Sequence, residues 1–160
     1  MSRLLQKLRQ LRARFAVSES GVVMTEAILA VPFLTLFSVG VLEFGAVLWQ
    51  REQIETGLRD AARYVARCRT SASNPAVPGS CLTTARNLAY HATVDGTGPL
   101  RVDGWDVGTS NIVFTYPALG AETGVTATTT HQMISSPMFG MLNIDALAIT
   151  ISHTQRRVGW

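Results

Sequence analysis

Charge is scarce in this sequence. Asp, Glu, Lys and Arg make up 16% of the 160 residues, where an ordinary soluble chain carries about 25%. Apolar side chains fill the gap at 47%, a balance that points to lipid. Cysteine is nearly absent. Cys68 and Cys81, with 12 residues between them, fit neither a C-x-x-C redox pair nor a zinc framework, which needs more thiolates or imidazoles at short spacing. No G-x-S-x-G elbow, P-loop or H-E-x-x-H helix occurs, so the chain reads as a non-enzyme with no cofactor. At 160 residues there is room for a membrane segment and one small domain, but hardly for a second sizeable core.

The net charge of +3 is a property of one end. Arg3, Lys7, Arg9, Arg12 and Arg14 against Glu19 place +4 in residues 1–21 and leave −1 for the rest. A basic pI confined to a short leader is a topology signal; no basic stripe interleaved with aromatics continues into the folded part, which argues against direct nucleic-acid binding. Leu4, Leu5, Leu8 and Leu11 gather on the other side of this leader. From Ala27 to Leu42 run 16 residues without a charge, and FGAVLW extends the apolar span beyond Glu43 to Trp49. A helix over residues 27–49 is about 35 Å long, enough to cross a hydrocarbon core of about 30 Å with some tilt. Positive residues before a first membrane helix stay cytoplasmic, with Trp49 and Arg51 as interfacial anchors on the far side, so the bulk of the chain is expected outside.

Apolar positions at Ile54, Leu58, Ala61 or Ala62, and Val65 predict that the helix continues out of the membrane. TSASNPAVPGS ends it as a loop, and CLTTARNLAYHATV gives a second short helix with Leu82, Ala85, Leu88 and Ala89 along one stripe. After DGTGP the pattern turns to strands: RVDGWDV, NIVFTYP, VTATTTHQMI and ALAITISHT. Thr126, Thr128 and Thr130 alternate with Ala127, Thr129 and His131; Leu147, Ile149 and Ile151 alternate with Ala148, Thr150 and Ser152. SSPMFGMLNI is an apolar connecting excursion. Helix first and strands later predicts an α+β fold with an antiparallel sheet of three to four strands.

At the mouth of the apolar run, Gly21, Val22, Val23, Met24, Thr25 and Glu26 spell G-x-x-x-x-E. A charge there would cost several kcal/mol in hydrocarbon. Basic leader, glycine, glutamate and apolar helix in this order resemble the type IV prepilins and pseudopilins. EAILAVPFLTLFSVGVLEFGAVLW followed by GLRDAARYVAR is similar to the TadE-like minor pseudopilins of Tad/Flp pilus systems, over about Gly21 to Arg67; Ala27 departs from the aromatic residue favoured beside this glutamate. The resemblance implies leader cleavage between Gly21 and Val22 by a prepilin peptidase, a membrane aspartic protease. It also implies a role for Glu26 in subunit assembly. The expected organisation is then a leader at 1–21, a transmembrane helix at 22–49, its periplasmic continuation at 50–70 and a small α+β domain at 71–160. The chain would cross the bacterial inner membrane once, with its domain periplasmic, among other minor pseudopilins, pilus subunits and the inner-membrane assembly platform.

Physics gives Glu26 a matching task. Cutting after Gly21 would create an α-amine at Val22 near the membrane boundary, and the carboxylate could neutralise it on an adjacent subunit. Opposite charges at about 4 Å attract by about 4 kcal/mol at an effective dielectric near 20, against desolvation costs of similar size, so the pair specifies register more than affinity. The plain alternative is a first-turn glutamate favoured by the helix dipole. Pro32 removes one backbone hydrogen bond and can kink the helix; that is local flexibility for filament packing or a tolerated membrane proline. Glu43, 17 residues further, falls near the outer interface, where it reaches water or pairs with a partner subunit. Cys68 and Cys81 would bridge the helix end to the second helix in an oxidising compartment, the alternative being two free thiols. His91, His131 and His153 have no carboxylate or thiolate at ligand spacing, which disfavours a metal. Trp105, Phe114 and Tyr116 read as core or sheet-face aromatics. A second functional reading is an unprocessed, signal-anchored periplasmic binding module of an envelope complex.

Overall fold

The computed structural model describes residues 19–68, 77–115, 124–133, 140, 143 and 147–156. Residues 1–18 of the basic leader, the 69–76 linker, Tyr116 and nearly all of SSPMFGMLNI lie outside the described residues. The elements are α1 (Glu19–Ala66), α2 (Gly79–His91), β1 (Val113–Thr115), β2 (Val125–Gln132) and β3 (Ala148–Gln155). The fold is α+β, and the three strands form one antiparallel sheet in the order β1-β2-β3.

Helix α1 runs for 48 residues with Pro32 inside it. Its first part must be helical if it enters lipid, where only an internally bonded backbone avoids unsatisfied polar groups. Its last four turns are helical for another reason: Ile54, Leu58, Ala61, Ala62 and Val65 recur at helical spacing and are fully buried. Contacts divide the chain into two compact units, residues 1–42 and 43–160.

In the second unit the core joins those α1 positions to Ala85, Ala89 and Tyr90 of α2, to Val102, Trp105 and Ile112, and to Val125, Ala127, Met133 and Ile151. Gly57 is where the approach is closest. A Cβ built there would lie 2.6 Å from the Ala89 carbonyl oxygen and 2.7 Å from the Trp105 ring. Tyr90 meets the same indole edge-on, with ring centroids 5.0 Å apart. Asp60 on the flank of α1 accepts a 2.6 Å hydrogen bond from Arg101, whose backbone N–H also bonds Tyr90 O at 2.7 Å. Helix α2 ends on Ala92, a left-handed residue (φ 60°) whose N–H bonds Leu88 O at 3.1 Å.

The sheet register pairs Thr126 with Thr154, Thr128 with Ser152 and Thr130 with Thr150. Their neighbours Val125, Ala127, Thr129 and His131 are buried, so β2 is sided as its alternation predicts. On the other face the hydroxyls of Thr126 and Thr154, and of Thr130 and Thr150, bond across the strands at 2.9 Å.

RVDGWDV, expected as a strand, is not one. Residues 101–110 form bends and turns. Gly104 takes φ +71°, and the Asp106 carboxylate accepts backbone N–H bonds from Gly108 (2.7 Å) and Thr109 (2.9 Å). Two Asp-Gly-type turns thus replace extended pairing and let Val102 and Trp105 both point inward.

Candidate assembly site on the stem

The site predicted from sequence lies in the first three turns of α1. Gly21, Val22 and Glu26 are all exposed and helical, and a Cβ at Gly21 would meet nothing within 4 Å. Gly21 is therefore not required by packing within this chain. The Thr25 hydroxyl donates to Gly21 O at 2.7 Å and lies 3.0 Å from Val22 O, the familiar back-bonding of a helical threonine. Thr35 does the same to Val31 O at 2.7 Å, beside Pro32. Around and beyond Glu26 the large apolar side chains point outward: Phe33 is 75% exposed, Phe37 73% and Leu42 73%. A run this apolar is stable only in lipid or against other apolar helices. It makes α1 long and apolar enough to cross a membrane, an N-terminal helix of the single-pass anchor type.

Glu26 is the one ionisable group between Val22 and Leu42. Glu43 begins the second unit, half-buried and engaged within the chain.

At the far end of α1, Cys68 and Cys81 form a disulfide with Cα atoms 6.5 Å apart. It ties the end of α1 to the first turn of α2. Beside it a surface cleft of about 210 Å³ is lined by Tyr64, Cys68, Pro78, Ser80, Cys81 and Thr84. The histidines do not converge. His153 stands opposite Ala127 and His131 opposite Ile149 in the β2–β3 register, while the His91 imidazole bonds Gly98 O at 2.6 Å. Trp105 is fully buried; Phe114 is half-buried under the Arg86 guanidinium, 5.8 Å from the ring centroid.

Sequence reasoning missed a buried polar network centred on Ser110. The Tyr90 hydroxyl donates to Ser110 O (2.9 Å) and accepts from Ile112 N–H (3.2 Å). Thr129 Oγ1 donates to the same carbonyl at 3.1 Å and accepts from the Trp105 indole N–H at 3.4 Å. Ser110 Oγ meets His131 Nδ1 at 2.9 Å, while His131 Nε2 is buried with no hydrogen-bond partner among the described residues. Burial holds the His131 pKa below its usual 6.5, with the Asp106 charge opposing. Burial likewise raises the Tyr90 hydroxyl to about 12, against the Ile112 hydrogen bond. These groups sit inside the core and serve one another. A hint was present in the sequence, because Thr129 and His131 fall on the face that β2 turns inward.

A small α+β domain following an apolar N-terminal helix of single-pass type is the class that fold and stem define. Residues 21–63 match the family model described as TadE-like protein. The matched residues all lie within α1. Comparison with curated proteins and with solved structures gives no match.

Proposed function

We propose that this chain is a minor pseudopilin of a Tad/Flp-type pilus, inserted as a precursor, trimmed by a prepilin peptidase after Gly21, and built into a pilus-like complex through its stem. The observation that carries this reading is the TadE-like match falling on a helix whose apolar side chains are exposed and whose single acid between Val22 and Leu42 is Glu26. In the proposed assembly the Val22 α-amine of one subunit meets Glu26 of the next, and the two charges set how parallel stems align. Gly21 O, part of the bond to be cut, is held by Thr25 within a helical turn, so the peptidase must unwind the first turns. Parallel stems in contact build an open helical array rather than a closed ring. Other minor pseudopilins, pilus subunits and an inner-membrane platform are the partners on this reading, with the domain on the periplasmic side. Pro32 supplies local give in the stem. Glu43 is a further point for pairing between subunits.

Sequencing the mature amino terminus tests the processing step: Val22 is expected, and an intact Met1 or Ser2 refutes it. Glu26→Gln tests the charge pair separately, since the leader should still be removed while incorporation into the complex is lost. Normal incorporation of that variant would leave the anchor without its proposed task.

A further inference from the structure

Among the described residues of the second unit, ion pairing leaves exposed arginines on one segment and exposed aspartates on another. On α1, Glu55 pairs with Arg59 at 3.3 Å and Asp60 with Arg101 at 2.6 Å. Arg63 and Arg67, one turn apart and exposed, make no ion pair among the described residues. Arg63 lies on the side of the helix turned away from Leu58 and Ala61, since a residue advances about 100° round the axis, and Arg67 follows it in the turn that ends α1. The segment from Thr93 to Thr109 carries the complement. It holds Asp95, Asp103 and Asp106, and its one cation, Arg101, is already neutralised by Asp60. Asp95 and Asp103 are exposed. Hydrogen bonds from Thr97 hold Asp95, and bonds from Thr109 and Gly108 hold Asp106, below the usual carboxylate range, so both stay ionised. This segment packs from the core side of α1, with Trp105 against Gly57.

We propose that these surfaces dock on each other between copies of this chain, Arg63 and Arg67 of one receiving the Asp95–Asp103 excursion of the next. The contact joins two different patches, so it is head-to-tail and each added copy brings a free patch for the next. This rests on reading the protein as an assembly subunit and adds a second, charge-selected contact outside the apolar stem. Exposed pairs of this kind give selectivity and orientation more than affinity, and salt screens them over about 10 Å at 0.1 M.

The test uses two differently tagged full-length copies, coexpressed and co-purified in mild detergent at low salt. Wild-type copies should co-purify, and the yield should fall as salt rises. Copies that both carry R63E/R67E, or both carry D95K/D103K, should lose at least about tenfold of that yield at low salt. Mixing an R63E/R67E copy with a D95K/D103K copy makes both junctions attractive again and should restore it, which also shows that each variant is folded. Failure of wild-type copies to co-purify, retention by both like-charged pairs, or no rescue in the mixture overturns the proposal. So does loss confined to R63E/R67E accompanied by weaker binding to phosphatidylglycerol vesicles, which would assign the arginines to anionic lipid. A mature terminus at Val22 with unaffected charge variants would sink this contact and leave the pseudopilin reading standing.

Discussion

Gly57→Ala is the sharpest perturbation the structure offers, because two large effects oppose each other there and their sizes differ. Alanine is favoured over glycine in a helix interior by about 1 kcal/mol. The added methyl carbon, however, would stand 2.6 Å from Ala89 O and 2.7 Å and 2.9 Å from two ring carbons of Trp105. Carbon contacts are comfortable only from about 3.5 Å, so α2 or the indole must retreat by nearly 1 Å. Neither moves freely: the carbonyl belongs to a helix, and the ring is fully buried against Tyr90. Overpacking of this kind costs roughly 1–3 kcal/mol, here near the upper end. The net expectation is a loss of about 2 kcal/mol, or a fall in Tm of roughly 4–8 °C for a chain of this size. Thermal unfolding of the detergent-solubilised protein, followed by near-ultraviolet circular dichroism of the packed aromatics, measures it. Gly45→Ala is the control, since nothing lies within 4 Å of a Cβ there. A Gly57→Ala protein as stable as wild type would refute the close approach of α1, α2 and Trp105.

Three further outcomes follow from the same unit. Replacing both Cys68 and Cys81 by serine should lower stability by about 3 kcal/mol for a loop of 13 residues, read from denaturant midpoints. Tyr90→Phe leaves the buried Ile112 N–H without its acceptor and should cost about 1–3 kcal/mol in the same assay. His131 has its folded pKa held below 6.5, so the unfolded chain takes up the proton first. Its contribution is therefore intact above pH 6.5 and shrinks as pH falls below that value. Urea unfolding at pH 7.5 and 5.5 should show the loss, and His131→Gln should flatten the dependence across that interval.

How far the fold was legible depended on how local its cause was. The stem could be read in full because lipid imposes one demand on every residue in turn, and the heptad-like recurrence of Ile54, Leu58, Ala61 and Val65 survives beyond it. β2 and β3 were legible for the same reason, each strand alternating between two environments. RVDGWDV misled because Val102, Trp105 and Val107 look strand-like in composition, although its two Asp residues near glycines were turn signals. The stem site is proposed on the joint pattern of Gly21, Glu26 and the apolar run. The Tyr90–Ser110–Thr129 network left no such trace, since its members are separated by about 20 residues and each is ordinary alone.

The amino-acid sequence by itself determined which surfaces meet which solvent: an apolar stem with one acid near its start, a helix with one buried stripe, and strands with two unlike faces. Tertiary structure alone decided which buried surfaces face one another. It put Trp105 against Gly57, set Thr126 opposite Thr154, and gave the Ser110 carbonyl to Tyr90 and Thr129. Periodicity records the average environment of a face and is felt residue by residue. Pairing of faces is chosen by shape and hydrogen-bond geometry across distant segments, and exists only once the chain has folded.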